Sequence, residues 1–348
     1  MGVKETLTIY DIAKLSGVSP STVSRVINNS GYVGPEKREK VLKVIEEHEF
    51  RPNALAQGLS TRHSQTIGML VPDVINPFYA TTFVTLEKEA QKYGYNVILC
   101  NYSNDNDTTM RQIEILRQKQ ADVILQVGGP TDLYEVPEEY VAQMKKISEQ
   151  IPLFTNGGSL GGIFHSIMVD DSKAIEEMLK YAYSNGHRRF AMIGGSSRYI
   201  PSKSKQEAFT KTLTELGVPE KFRIVLDYDN FDQFGGKSCV ELIADQYQDA
   251  FPTLFVGINE SVAIGALKEL LKRGNSVPYD VSVVGFDNTY LSSFSMPELT
   301  SIGCDYEEYA RVMMEAILKV IAGEKIEREV LVESKFERKA SLGPAVGI

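Results

Sequence analysis

The sequence predicts an N-terminal all-α helix-turn-helix head followed by a much larger α/β body of two doubly wound parallel-sheet lobes. The first 50 residues carry helix caps and apolar residues at helical spacing. From Gln65 onward, short apolar runs alternate with amphipathic stretches, as expected for strands and helices that alternate along the chain. A chain of 348 residues has room for two or three domains.

The first helix of the head is predicted over residues 9–15. Thr8 is a favoured N-cap residue, and Asp11 three residues later can complete a capping box. Ile12, Ala13 and Leu15 are expected to face inward. Gly17 then provides the positive φ that a tight turn requires.

The second helix is predicted to begin at Pro20, because proline fits the first helical position and Ser19 can cap the helix. Val23, Val26 and Ile27 form its inward stripe. The opposite face carries short polar groups and one arginine, namely Pro20, Ser21, Ser24, Arg25 and Asn28. Such a face can reach base edges or phosphates in the major groove of DNA.

A third helix, over residues 35–48, is expected to close the small core of the head. Val41, Leu42 and Ile45 would supply its apolar contacts. Three helices, two caps and a turn glycine agree on a compact helix-turn-helix rather than an isolated helical hairpin with a solvated polar face.

Seven strands and five helices are predicted in the body. The strands cover residues 66–72, 96–102, 122–129, 151–156, 190–195, 253–259 and 281–286. The helices cover residues 78–93, 108–119, 173–185, 204–216 and 261–273. This alternation favours parallel sheets, in which ligands bind beyond the carboxyl ends of the strands.

Polar and aromatic residues follow several of these strands. Asn76, Phe78 and Tyr79 come after the first body strand, and Asn259 and Asp287 each end a later one. An amide, a carboxylate and aromatic rings suit a polar, hydroxyl-rich ligand. A purely structural interpretation also stands for each of them: Asn76 as a turn residue and Asp287 as a helix cap.

The sign of the net charge changes between the predicted head and the predicted body. Residues 1–62 carry nine basic and seven acidic residues, a net charge of +2, whereas the whole chain carries −9. A mildly basic head on an acidic body fits a protein that touches DNA at one end only.

Composition argues against several classes of protein. The sequence has no run of about 18 apolar residues, so no contact with a membrane is expected, and it opens without the apolar segment of a signal peptide. The three cysteines have no CxxC spacing and the four histidines no ligand spacing, which favours the reducing cytoplasm and predicts no metal and no cofactor. We find no catalytic constellation, so the chain is not expected to be an enzyme.

The run TIYDIAKLSGVSPSTVSRVIN (residues 8–28), followed by RPNALAQGLS (residues 51–60), resembles the lactose/galactose repressor (LacI/GalR) family. The resemblance covers essentially the full length. It implies a periplasmic-binding-protein-like body with a small-molecule effector, a sugar or sugar derivative, between its lobes. It also implies a cytoplasmic, ligand-responsive transcriptional regulator that represses carbohydrate-utilisation genes.

The same resemblance implies a homodimer that binds a palindromic operator in double-stranded DNA. The tail after residue 322 has no leucine heptads, so a dimer is expected rather than a tetramer joined by a C-terminal bundle.

The resemblance also assigns the residues that contact DNA. Pro20 and Ser21 would choose the operator, and Arg25 would read a base. Further residues would contact the backbone or support the reading helix, namely Thr8, Tyr10, Ser19, Thr22, Ser24, Asn28 and Tyr32. Residues 53–60, with Asn53 first, would form a hinge helix in which Ala56 and Leu59 face the minor groove and Leu59 kinks the duplex. The alternative for this segment is a plain polar linker.

By the same resemblance, the domain boundaries are 1–50 for the DNA-binding head and 51–64 for the hinge helix and linker. The N-terminal lobe takes residues 65–161 plus 291–322, and the C-terminal lobe takes residues 162–290 plus 323–348. The lobes would therefore be joined near Gly161, Leu291 and Ala322.

Lys203 and Phe231 join Asn76, Phe78, Tyr79, Asn259 and Asp287 as implied effector contacts, although Phe231 could also be a core residue. The chain departs from the family pattern at three places. Lys203 stands where arginine is usual, Gly157 and Gly158 stand where an acid and often an arginine occur, and Cys304 stands where glutamine is common.

One alternative is a catabolite-control-type regulator whose corepressor is a phosphorylated protein. The head and the run GFDNT (residues 285–289) resemble that type, but residues 304–318 do not resemble its partner-binding helix. A free solute receptor or an enzyme is a further alternative. A receptor of that kind needs an export signal and an enzyme needs a set of catalytic residues, and we find neither in the sequence.

Overall fold

The computed structural model describes residues 7–27, 31–48, 50, 63–103 and 105–345. The chain divides into two compact units, Met1–Gln65 and Thr66–Ile348. Within the described residues, no helix is long and apolar enough to cross a membrane.

The described residues of the head form three short helices, α1 (Ile9–Ser16), α2 (Pro20–Ile27) and α3 (Pro35–Glu47). The capping box of α1 forms as predicted: the backbone N–H of Thr8 donates to Asp11 at 2.8 Å, and the N–H of Asp11 donates to the Thr8 hydroxyl at 3.4 Å. Gly17 has a φ of 66°, which lets the chain turn towards α2.

A small apolar core holds the three helices together, and its fully buried members are Ile12, Ala13, Val23, Val26 and Val41. Two inward-facing predictions are wrong. Leu15 is 52% exposed and Leu42 is 48% exposed. Ser16, four residues after Ile12, takes the inner position instead and donates its hydroxyl hydrogen to the Ile12 carbonyl. Leu42 lies about 100° around α3 from Val41, so burial of Val41 turns Leu42 outward.

Eleven strands are present in the part of the body that the structure describes. They are β1 (Thr66–Val71), β2 (Asn96–Asn101), β3 (Val123–Gln126), β4 (Leu153–Thr155), β5 (His165–Asp170), β6 (Phe190–Ile193), β7 (Arg223–Leu226), β8 (Leu254–Gly257), β9 (Ser282–Phe286), β10 (Thr300–Cys304) and β11 (Glu329–Glu337). Their order across the body is β2-β1-β3-β4-β5-β11-β10-β9-β8-β6-β7.

Helices connect most of these strands. They are α4 (Pro77–Gln91), α5 (Asn106–Gln118), α6 (Glu138–Ser148), α7 (Ser172–Ser184), α8 (Ile200–Glu215), α9 (Gln233–Gln246), α10 (Glu260–Lys272), α11 (Tyr290–Phe294) and α12 (Tyr306–Ile321). Neighbouring strands run parallel except for the pair β10–β11. The α/β fold with parallel strands is therefore confirmed, with one antiparallel pair added.

β11 joins two lobes. Its first part, Glu329 to Glu333, pairs with β5, and its second part, from Ser334 onward, pairs with β10. The first lobe contains β1 to β5 around buried side chains such as Ile67 and Phe154. The second lobe contains β6 to β10 around a separate core that includes Phe190 and Phe286.

The chain crosses between the lobes three times. β5 pairs with β4 in the first lobe, but α7 contributes Ile175 to the core of the second. β10 pairs with β9 in the second lobe, but α12 contributes Met313 to the first core. Each crossing comes further along the chain than Gly161, Leu291 and Ala322. The first two follow β5 and β10, which complete their strand pairing before the chain changes lobe, and the third lies within β11.

Several elements have no counterpart among the predicted ones. β5, β7, β10, β11, α6, α9 and α11 all belong to this group. β11 alternates exposed and buried residues, and β7 has only one fully buried residue. Neither gives the continuous apolar run by which the central strands were found.

Candidate functional site

The exposed face of α2 carries the residues expected to read DNA. Pro20, Ser21 and Arg25 are exposed, while Thr22 and Ser24 are half-buried. The Ser19 hydroxyl accepts the N–H of Thr22 at 3.2 Å and lies 2.8 Å from the Ser21 hydroxyl. Ser19 therefore orients the start of α2 and the side chain of Ser21, in keeping with a supporting role.

The two tyrosines predicted to contact DNA are also on the surface of the head. Tyr10 is 71% exposed and Tyr32 is 88% exposed. Both rings are therefore accessible for contact with a partner. Thr8 caps α1, as described above. The predictions for Asn28, Asn53, Ala56 and Leu59, with the hinge helix, lie outside the described residues.

A cavity of about 590 Å³ opens between the two lobes of the body. Residues at all three crossings line it, including Asp171, Cys304 and Leu331. Residues that follow the carboxyl ends of strands, such as Asn76 and Asp287, line it too. The cavity thus lies where open α/β sheets place their ligands.

Six of the seven predicted effector contacts line this cavity, namely Asn76, Phe78, Tyr79, Phe231, Asn259 and Asp287. Their common placement is compatible with a role in ligand binding, which stays a prediction for each of them.

Lys203 does not line the cavity. Its Nζ lies 4.3 Å from the ring centroid of Tyr134, and its side chain is 41% exposed. Lys205, two residues further along α8, lines the cavity instead. Residues two apart on an α-helix are about 200° apart around its axis, so the two lysines point in nearly opposite directions.

Lys205 is held by contacts with three other elements. Its Nζ lies 3.5 Å from Asp171 Oδ2, donates to the Ile258 carbonyl at 3.4 Å, and sits 4.2 Å from the ring centroid of Phe286. The side chains of Lys205 and Asp171 are each 13% exposed, and Asp171 also accepts a hydrogen bond from the Ser334 hydroxyl. This ion pair therefore fixes part of the cavity wall.

Asn76 and Asn259 both act as helix caps. The Asn76 side chain accepts the N–H of Phe78 at 3.0 Å at the start of α4. Asn259 accepts the N–H of Val262 at 2.9 Å, and its amide donates to the Phe231 carbonyl at 2.9 Å. Asn259 thereby positions the loop that carries Phe231, so the two predicted contacts are linked in the structure.

Asp287 is not a helix cap, since Thr289 caps α11. Asp287 has a φ of 94°, a backbone conformation that non-glycine residues rarely adopt. Its N–H donates to the Ile302 carbonyl at 2.7 Å, and its carbonyl accepts the Tyr306 hydroxyl at 2.9 Å. Burial raises the pKa of Asp287 to about 6, although Lys205 acts to lower it. Strained backbone of this kind is often found at functional sites.

Glu260, the first residue of α10, lies close to Asp287. It is 2% exposed, and its carboxylate accepts both the N–H and the hydroxyl of Thr289. Burial raises the pKa of Glu260 to about 7, and the charge of Asp287 acts in the same direction. A second carboxylate therefore lies buried near Asp287, behind the residues that line the cavity.

Asp132 is a cavity residue that sequence reasoning missed. It follows β3 in a short turn, Gly129–Asp132, and lines the first lobe's side of the cavity. Its Oδ1 is buried and has no hydrogen-bond partner among the described residues. Burial raises the pKa of Asp132 to about 7. Its position shortly after a strand was the available signal in the sequence.

Gly157 provides the space for this carboxylate. A Cβ atom at residue 157 would lie 2.4 Å from Asp132 Oδ1 and 2.6 Å from the Thr131 carbonyl oxygen. The departure from the family pattern at Gly157 thus coincides with an acid on the neighbouring loop.

Cys304 also lines the cavity, and burial raises the pKa of its thiol to about 12. Among the described residues, no group of acids, histidines and cysteines could hold a metal ion.

Comparisons with known proteins identify relatives over almost the whole chain. Residues 8–53 match the family of bacterial regulatory proteins named after lacI, and residues 179–341 match a periplasmic binding protein-like domain. Catabolite control protein A of Priestia megaterium is 32% identical over 93% of this chain and 96% of its own. The HTH-type transcriptional regulator DegA of Bacillus subtilis is 31% identical over 86% of this chain and 87% of its own.

Solved structures agree on the fold. A lac repressor dimer bound to operator and the anti-inducer ONPF superposes with a TM-score of 0.83 at 21% identity, covering 97% of this chain and 99% of its own. A complex of the transcriptional regulator CelR with cellobiose gives a TM-score of 0.68 at 23% identity, covering 96% and 99%.

Proposed function

Because the chain belongs to the lacI family of bacterial regulatory proteins, we propose that it binds a palindromic operator as a homodimer and represses carbohydrate-utilisation genes. An effector in the cavity between the lobes changes its affinity for the operator, and the protein acts in the cytoplasm. Family membership makes it a DNA-binding transcriptional regulator, and its relatives are regulators rather than enzymes.

One combination of features carries this proposal. The head has an exposed reading face on α2, and the body has a cavity lined at all three crossings between its lobes. A ligand that contacts both lobes can favour one arrangement of the lobes over another. In proteins of this kind, such coupling between two sites typically amounts to about 1–3 kcal/mol.

The proteins of similar fold are too distant in sequence to identify the ligand of this chain. The structures of similar fold carry ONPF or cellobiose, and both of those ligands occur with proteins less than 25% identical to this one. A sugar or sugar derivative is therefore proposed here on the chemistry of the cavity, in which aromatic rings alternate with carboxylates and amides.

A phosphorylated protein as corepressor is the second candidate, favoured by the similarity to catabolite control protein A. The groove between α4 and α12 argues against it. There Lys88 is paired with Glu307, and Arg311 contacts both Glu308 and Glu315. With its basic groups paired to acids, this groove offers no excess positive charge to a phosphoryl group.

The proposal is tested by operator selection from random duplex DNA with the full chain, followed by affinity measurements on Arg25→Ala. We expect a palindromic sequence to be enriched. Arg25→Ala should bind it about 10- to 100-fold more weakly, because a good base contact is worth about 1–3 kcal/mol.

Lys37→Ala is the matched control, since it removes one positive charge from α3 outside the reading face. It should weaken binding to all sequences by a similar, small factor. Failure to enrich any sequence would contradict the function, and an equal loss in both variants would contradict base reading by Arg25.

A further inference from the structure

The cavity between the lobes is strongly acidic. Five aspartates line it, namely Asp73, Asp132, Asp170, Asp171 and Asp287. Within the part of the chain that the structure describes, Lys205 is the one basic residue in the lining, and it is already paired with Asp171. A negatively charged ligand such as a sugar phosphate would meet repulsion here without a compensating arginine or free lysine.

Two of these carboxylates form no ion pair within the described residues, and they come from opposite sides of the cavity. Asp132 comes from the first lobe, and its buried Oδ1 has no hydrogen-bond partner among the residues that the structure describes. Asp287 comes from the second lobe, on backbone held by Ile302 and Tyr306. Tyr79 is close enough to both that their charges, after burial, raise the pKa of its hydroxyl.

In the described part of the chain, the titratable groups around the two acids offer no positive charge beyond Lys205. Asp132 faces buried tyrosines whose pKa values burial raises, namely Tyr79, Tyr102, Tyr140 and Tyr309. Asp287 faces Lys205, Asp171, Glu260, Cys304 and Tyr306. Buried carboxylates without hydrogen-bond or charge partners are costly, so a ligand cation at this place would relieve an existing penalty.

Aromatic rings complete the chemistry of the pocket. Phe78 contacts Tyr79 edge-on with ring centroids 5.3 Å apart, and Tyr199 contacts Phe231 edge-on at 5.5 Å. All four residues line the cavity. Such rings can pack on the apolar face of a sugar and attract a cation through their π systems.

We propose that the effector is a polyhydroxylated small molecule that carries a protonated amine, of the chemical class of the amino sugars. Its ammonium group lies against Asp132 and Asp287 and so links the two lobes, while Gly157 keeps the space beside Asp132 open. This inference rests on the proposed function and specifies the ligand of the same site.

The test compares matched sugars that differ only in charge. The full chain is titrated calorimetrically with glucosamine, glucose and glucose 6-phosphate, and with the galactose and mannose counterparts of all three. We expect at least one amino sugar to bind roughly tenfold or more tightly than its neutral and phosphorylated counterparts, because hydrogen bonds to charged groups are the stronger ones.

Asp132→Asn keeps the shape of the side chain and removes the charge. It should weaken binding of the amino sugar by about tenfold or more and leave binding of the neutral sugar within about twofold. Binding of the amino sugar near pH 7 should also release protons, seen as a dependence of the heat on the buffer, because the ammonium group lowers the pKa of a partly protonated carboxyl.

Thermal unfolding separates loss of binding from loss of folding. The pKa of Asp132 is raised to about 7 in the folded state from an ordinary value of 3.8. Between these values the folded state holds the proton that the unfolded state releases, so ionisation costs stability as pH rises. Ligand-free Asp132→Asn should therefore be more stable than wild type at about pH 8, and the difference should shrink towards pH 4.

The outcomes are decisive for the ligand class. Equal or tighter binding of the neutral or phosphorylated sugars, or no binding of any amino sugar at millimolar concentration, would overturn the inference. So would unchanged binding of the amino sugar by Asp132→Asn. Operator binding measured on the same preparation keeps the two proposals apart, since intact operator binding with a different ligand preference leaves the proposed function standing.

Discussion

Lys205 shows how a single side chain can set the character of the cavity. It lies between Asp171, the Ile258 carbonyl and the Phe286 ring, and it balances part of the surrounding negative charge. Lys203, only two residues away, contacts Tyr134 on the surface. The sequence offers two similar lysines, and only the rotation of α8 distinguishes them.

Replacing each lysine by methionine should therefore give different results. Lys205→Met leaves Asp171 nearly buried without its cation, and we expect the free energy of unfolding to fall by about 2–3 kcal/mol. Lys203→Met loses an exposed contact with a ring and should cost less than about 1 kcal/mol. Urea denaturation at neutral pH measures both, and equal losses in the two variants would contradict the placement of the lysines.

Several cavity residues could be predicted from the rule that ligands bind beyond the carboxyl ends of parallel strands. It placed Asn76, Asn259 and Asp287 at the cavity because each follows a strand that can be recognised as a continuous apolar run. It missed Asp132 and Asp171. Asp171 follows β5, which has only two fully buried residues, and Asp132 is separated from β3 by a turn. Without the neighbouring loop in view, nothing in the sequence shows that Gly157 makes room for Asp132.

At the level of elements, α9 and α10 depend on two glycines for their close contact. A Cβ atom at Gly236 would lie 1.9 Å from the Val262 carbonyl oxygen, and one at Gly265 would lie 2.0 Å from the Gln233 carbonyl oxygen. Each helix thus approaches the backbone of the other where glycine leaves room. This contact supports the start of α10, where Asn259 caps the helix and Glu260 meets Thr289.

Gly265→Ala should therefore destabilise the body in spite of the better helix propensity of alanine. The added methyl group meets backbone that cannot rotate away, and we expect a loss of about 1–3 kcal/mol or more. Lys268→Ala, an exposed change on the same helix, should alter stability by less than about 0.5 kcal/mol. Thermal unfolding of the two variants measures the difference, and a neutral Gly265→Ala would show that the helices are further apart than described.

Some helices and strands could be located from the sequence, and others could not. α1 and α2 were predicted within a residue or two because caps, a turn glycine and an apolar stripe coincide there. β11 was missed because its exposed and buried residues alternate. Its position also depends on pairing with β10 and with β5, and the residues of β5 lie more than 100 positions away in the sequence. Local pattern does not carry that information.

At the level of the whole molecule, the two lobes have separate cores but share β11 and the cavity. The sequence predicted two lobes and three crossings. The positions near Gly161, Leu291 and Ala322 came from the family resemblance, and in the structure the chain changes lobe further along, after β5, after β10 and within β11. The acidic lining is also a property of the whole molecule, since its five aspartates come from both lobes and from four separate stretches of chain.

In the proposed function, ligand in the cavity controls DNA binding by the head. The most direct measurement is the affinity of the full chain for its selected operator, with and without each sugar of the matched panel, in wild type and Asp287→Asn. We expect at least one sugar to change the affinity of wild type by about 5- to 150-fold and that of Asp287→Asn by less than about twofold. An operator affinity that no sugar changes, or one that changes equally in both proteins, would contradict the claim.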